Sequence, residues 1–327
     1  MKENKVQPIQ NIYRKNYNDS DSGKIFLICL IAPFLLALLF STIASTIADA
    51  NDIKNIETIT SSLGYVIPYC LCSFLLYIGI YLIYNKLSKI EFRAVKPKFK
   101  MKWHTYAIIG VVGIISLFGI QYFVGIFDNI LQAIGYPLEL GFSMINPTNW
   151  GTYILCIFLL AVVPAIGEEL LFRGMILHGL RSRFNDVVSV LLSGLMFALM
   201  HGNLQQLVYP FILGVIMGWI VLRTGSLISS ILVHFINNFL VVTFAFIENT
   251  TGFNFALPNV WWFYLLAIGL FALTVAICFI IDKFYFKHKS EEQVEKTSTK
   301  TSKFIYISLV VAVVMLVITT VLSFKLA

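Results

Sequence analysis

The chain has 327 residues, 58% hydrophobic and 13% charged, with a mean hydropathy of +0.82 and a net charge of +7. Soluble domains run at about 45–50% apolar and about 25% charged, so an ordinary soluble fold is excluded. Twenty-eight Phe and 15 Tyr beside 5 Cys also exclude a disordered or disulfide-stapled chain, which leaves a polytopic membrane protein.

In chain order, nine apolar runs are candidate crossings: 25–48, 62–84, 104–126, 150–172, 187–203, 204–222, 226–247, 258–281 and 304–324. The fifth and sixth are separated only by the polar patch from Gly202 to Gln206. The runs are continuous rather than alternating and too long for tilted strands, which disfavours a β-barrel. The expected fold class is therefore all-α, a polytopic helical membrane protein of about nine transmembrane helices. The first run is too long, and its polar lead too extended, for a cleavable signal peptide, so a retained signal-anchor is expected.

Charge between the runs sets the expected orientation. Lys2, Lys5, Arg14, Lys15 and Lys24 precede the first run, and Lys86, Lys89, Arg93, Lys96, Lys98, Lys100 and Lys102 follow the second. Arg181 and Arg183, then Arg223, then Lys283, Lys287 and Lys289 continue the basic set. Asp49, Asp52, Glu57, Asp128, Glu139 and Glu248 lie in the loops between. With nine spans the two sets alternate, which predicts a cytoplasmic N-terminus. The +7 charge is thus a topology signal, and no nucleic-acid partner is expected.

Several other features need no functional account. Cys29, Cys70, Cys72, Cys156 and Cys278 lie within apolar runs without metal-type spacing and read as small buried hydrophobes. Trp103, Trp150, Trp261 and Trp262 fall at span ends, where aromatic belts form. Gly214 and Gly218 make a GxxxG helix-packing pair.

Six runs carry no ionisable group in their interiors. The exceptions are Glu168, Glu169 and Arg173 in the fourth run, His201 in the fifth and His234 in the seventh. A charge at mid-membrane costs about 2.5–3.5 kcal/mol on insertion scales, so groups concentrated on three helices are expected to meet. If the fourth helix continues to Arg181, Glu168 lies about 20 Å from that surface. His201 lies about 22 Å from Asp186, and His234 and Asn238 about 16 and 22 Å from Arg223. Four polar groups on three helices thus converge on one depth.

Helical phase separates their roles. Glu169 and Arg173 are i,i+4 with the acid first, the favourable order for an ion pair. Glu168 lies about 100° round the helix, free to face the fifth and seventh helices. His234 with Asn238, and Phe197 with His201, are also i,i+4 and share faces. Pro164 and Gly167 are expected to loosen the helix ahead of the acids and free backbone polar groups. His104, His178 and His288 fall at interfaces or in a linker and read as structural or solvated.

Glu168-Glu169-x-x-x-Arg173, Phe197-x-x-x-His201 and His234-x-x-x-Asn238 resemble, in order and on separate apolar helices, the three motifs of the CAAX protease and bacteriocin-processing (CPBP, or Abi) family, which includes the type II CAAX endopeptidases. The resemblance covers about 150–240 and implies an intramembrane endopeptidase. Taken with the apolar runs, the expected division is a cytoplasmic segment 1–24, amino-terminal transmembrane helices 25–149, a catalytic core 150–247, a further helix region 248–287, a charged linker 288–303 and a last span 304–327. That span and linker extend beyond the family's usual eight-helix core.

Amide hydrolysis needs an activated water, an oxyanion stabiliser and a proton for the leaving amine. Glu168 suits a general base that later acts as acid, with His201 holding the water. His234 and Asn238 suit oxyanion donors, and Glu169 and Arg173 position Glu168. The resemblance favours a metal-free glutamate mechanism with no cofactor, and no HExxH helix is present. Glu168, His201 and His234 as zinc ligands form the alternative. The expected partner is a membrane-bound peptide or lipidated protein in the bilayer of a bacterial cell membrane. A non-proteolytic immunity or scaffold protein of the same fold is the competing reading, and a transporter the third.

Overall fold

A computed structural model describes residues 16–90, 102–138, 146–253, 261–285 and 300–326. Their apolar runs form nine helices: α1 (Asp19–Ala50), α2 (Leu63–Leu87), α3 (Trp103–Ala133), α4 (Trp150–Arg181), α5 (Asp186–Met200), α6 (Val208–Thr224), α7 (Leu227–Thr251), α8 (Trp261–Tyr285) and α9 (Lys303–Leu326). One helical turn, Glu57–Thr60, links α1 to α2. Each expected run has its helix, so the chain is a polytopic helical membrane protein. The basic residues Lys2, Lys5, Arg14, Lys15, Arg93, Lys96, Lys98, Lys100, Lys287 and Lys289, together with Glu139 and most of the 288–303 linker, lie outside the described residues.

Seven helices are long and apolar enough to cross a bilayer. The other two, α5 and α6, have 15 and 17 residues. They reach about 22 and 26 Å, short of the roughly 30 Å hydrocarbon core. The 201–207 connection between them is polar, and polar backbone of this kind at membrane depth is tolerated only against protein or a water-filled cavity. Gly202 makes the turn at φ +61°, a conformation open to residues without a Cβ.

Helix boundaries follow local signals. Asn18 and Asp21 form a capping box that starts α1 ahead of the apolar run, and Asn149 and Thr152 do the same for α4. The α5–α6 contact is a close backbone crossing. A Cβ on Gly194 would come within 2.9 Å of Val215, and one on Gly214 within 3.0 Å of the Gly194 Cα. The GxxxG pair of α6 thus faces α5, with Gly218 against Val190.

The ninth helix packs along α1. A Cβ on Gly23 would lie 2.4 Å from the Phe304 carbonyl carbon, the Ser302 amide donates to Asp19 Oδ2 at 2.7 Å, and the Lys24 ammonium sits 4.9 Å from the Phe304 ring centre. Its other face presents Val310, Val313, Val317 and Val321 outward, as a lipid-facing helix does. All five cysteines are free thiols, four of them buried and Cys72 half-buried.

Candidate active site

The fourth helix is not uniformly α-helical. It is π-helical over Ile157–Val162 and Phe172–Ile176, on either side of an α-helical Val163–Leu171 that carries both glutamates. Widened turns release carbonyls from the regular ladder, and such segments recur at functional sites. Pro164 has no N–H, so Leu160 loses its i+4 donor. The Asn238 side-chain amide takes that place, donating to the Leu160 oxygen at 3.1 Å. At the second π segment, His178 Nδ1 lies 2.7 Å from the Arg173 oxygen and the Ser22 hydroxyl donates to the Ile176 oxygen at 2.8 Å.

The predicted ion pair joins the α-helical stretch to the second π segment. Arg173 Nη1 donates to Glu169 Oε1 at 2.6 Å, with both side chains fully buried. Arg173 Nη2 donates to the Gly214 carbonyl at 3.1 Å, and its guanidinium lies 4.4 Å from the Phe197 ring centre. A Cβ on Gly214 would stand 3.2 Å from Nη2, so the glycine makes room for the charge as well as for the crossing. Phe197 is a hub, edge-on to Phe172, His201 and His234 at 5.1, 5.1 and 5.8 Å between ring centres.

His234 stands between the two glutamates. Its Nδ1 is 3.1 Å from Glu169 Oε1 and its Nε2 is 3.9 Å from Glu168 Oε2. Glu168 retains 13% side-chain exposure whereas Glu169 has none, so adjacent acids on one helix occupy different surroundings. Glu169, ionised against Arg173, is an acceptor only, which places a proton on His234 Nδ1. His201, capping α5, has Nδ1 2.9 Å from the Phe197 carbonyl, which likewise only accepts. In the neutral imidazole Nε2 is then the lone-pair nitrogen.

The structure therefore gathers Glu168, Glu169, Arg173, Phe197 and His234 directly. His201 joins through its contact with Phe197, and Asn238 through the backbone of the helix that holds the glutamates. Among the described residues, no three His, Cys, Asp or Glu converge closely enough to hold a metal ion. The alternative set Glu168, His201 and His234 is thus not drawn together as a ligand cluster. Inside the site, Glu169 Oε2 and Arg173 Nε are buried without a hydrogen-bond partner.

Sequence reasoning passed over Asn237. Its amide donates at 2.9 Å to the carbonyls of Gly113 in α3 and Val233, and its oxygen accepts from the Tyr209 hydroxyl of α6. This residue ties α3, α6 and α7 together one position before Asn238. Its signal was available, because a second amide in an apolar helix needs partners as much as the first.

Residues 149–240 match the family model described as type II CAAX prenyl endopeptidase Rce1-like. No curated protein and no solved structure matched the chain. The matched segment runs from the α4 cap through Asn238 and so contains every motif residue of the site. At the coarse level it supports a protease of the CAAX family acting in a membrane. Residues 149–240 are thus similar to the Rce1-like type II CAAX prenyl endopeptidase family, which is consistent with a CPBP-type domain.

Proposed function

We propose that the protein is an intramembrane endopeptidase that hydrolyses a peptide bond with a water activated by Glu168, and without a metal. The observation that supports this most is His234, held by Glu169 at 3.1 Å and 3.9 Å from the partly exposed Glu168. The charges give the reason. Glu168, Glu169 and Arg173 sum to −1, and an imidazolium at His234 brings the cluster to zero. A neutral cluster is the least costly one to bury.

The steps follow from these positions. Glu168 takes a proton from water as the water oxygen bonds to the carbonyl carbon. The His201 Nε2 lone pair accepts a hydrogen bond from the second O–H, which stays on the attacking oxygen, and so orients the attack. Negative charge develops on the carbonyl oxygen, where protonated His234 donates through Nε2–H. Asn238 donates through the amide hydrogen that Leu160 does not use. As the C–N bond breaks, Glu168 passes its proton to the leaving amine.

Asn238→Ala is expected to lower turnover by about 10²–10³, the usual effect of losing one oxyanion donor. The same substitution strips Leu160 of its donor, so thermal unfolding should be measured alongside. Unchanged turnover in a folded variant removes Asn238 from the mechanism.

Zinc remains the chemical alternative, because two imidazoles with Nδ1 bonded and Nε2 free are oriented as metal-bound histidines are. Purified protein should keep its activity after chelation and contain zinc well below one ion per chain. Stoichiometric zinc whose removal stops cleavage overturns the metal-free reading.

The substrate class follows from the setting: a membrane-associated peptide or lipidated protein, either CAAX-like or a pheromone or bacteriocin precursor. The enzyme would sit in a bacterial cell membrane with its N-terminus cytoplasmic, as the basic loops favour. Comparing the secreted and membrane peptides of cells carrying wild-type protein with those carrying Glu168→Ala identifies the substrate. A variant that keeps the full biological effect shows instead that the protein acts by binding, as an immunity or scaffold protein would.

A further inference from the structure

The region furthest in chemistry from the glutamate site lies between α3 and α8. These helices touch backbone to backbone at Gly119, where a Cβ would come within 2.7 Å of the Phe271 nitrogen. Toward the C-terminal end of α3 the interface is filled by rings instead, Phe123 against Phe271 at 4.8 Å and Tyr122 against Tyr264 at 5.8 Å. A cavity of about 180 Å³ opens there, lined by Gln121, Tyr122, Asp128, Phe263 and Tyr264. It shares no residue with the glutamate site.

Asp128 is the unexpected member. Its position after the third apolar run reads as a loop, but α3 continues to Ala133 and carries the acid within the helix. Its Oδ1 is buried and has no hydrogen-bond partner. The side chain as a whole is half-buried, and its buried Oδ1 offers an approaching cation an unshared acceptor. Among the described residues no basic side chain lines the cavity, and three of those that do, Tyr122, Phe263 and Tyr264, carry aromatic rings, whose faces attract cations.

Depth indicates which cation. Asp128 is 25 residues along α3 from Trp103, about 37 Å of helix against a hydrocarbon core of about 30 Å. The cavity thus lies at headgroup level, on the membrane face opposite the Lys102 end of α3. Ile126, Ile130, Leu265 and Leu266 beside it are exposed, as lipid-facing residues are.

We propose that this cavity binds the ammonium group of an aminophospholipid headgroup, with Asp128 as counter-ion and the Tyr122 and Tyr264 rings as walls. The proposal does not rest on proteolysis. The test uses the full chain in nanodiscs of equal phosphatidylethanolamine and phosphatidylglycerol, with native mass spectrometry counting the lipids that stay bound. Wild-type protein should retain about ten phosphatidylethanolamine molecules for each phosphatidylglycerol, the scale of one charge-assisted contact. Enrichment should vanish in Asp128→Asn, and excess free ethanolamine should displace the retained lipid. If Asp128→Asn does not fold, Tyr264→Leu serves in its place and should lower the enrichment about threefold. Equal retention of the two lipids by wild-type protein, or enrichment unchanged in a folded variant, overturns the proposal.

Discussion

Glu168→Gln is expected to cut peptide cleavage by about 10²–10⁴-fold, the contribution of a positioned general base, while leaving the protein folded. The contrast with its neighbour explains why. Glu169 is fully buried, with Arg173 at 2.6 Å and His234 at 3.1 Å, whereas Glu168 has only His234 at 3.9 Å and keeps some exposure. Replacing the Glu168 carboxylate by an amide of the same shape removes the proton acceptor and leaves the fully buried Glu169–Arg173 pair in place. The check is cleavage of a membrane-embedded reporter peptide by reconstituted protein, with thermal unfolding in the same detergent. Cleavage within threefold of wild type would remove Glu168 from the role of base.

Arg173→Met is expected to give the largest loss of stability, about 3–5 kcal/mol, because it takes the guanidinium partner from the fully buried Glu169. It also removes the donor to the Gly214 carbonyl and the cation over Phe197, so α4, α5 and α6 lose a shared anchor. The double variant Glu169→Leu with Arg173→Leu separates two roles. Removing both charges together should restore much of the apparent Tm, since apolar replacement of a buried pair is often neutral. Cleavage should stay low, because His234 then has no acceptor to fix its Nδ1 proton. Recovery of both stability and cleavage in the double variant would show the pair to be structural only.

The fold class and the number of apolar helices were legible because both depend on local composition. A run of about 20 apolar residues names its own environment, and the i,i+4 order of Glu169 and Arg173 anticipates their bond. Pro164 likewise foretells a free carbonyl at Leu160, since the missing N–H is a covalent fact. Asp128 marks the limit of such reading. Hydropathy ends a span where polarity rises, but α3 continues past its apolar run, and this turned a loop acid into a helix residue lining a cavity.

The sequence by itself determined the membrane setting, the number of apolar helices among the described residues and the i,i+4 spacing of the three motif pairs. Only the tertiary structure decided which nitrogen of His234 meets which glutamate, that Asn238 serves Leu160, and that Gly214 makes room for Arg173 between α5 and α6. Spacing along one helix sets which residues share a face. Contacts between helices depend on crossing angles and on where small residues let backbones touch, and these emerge only when all the helices pack together.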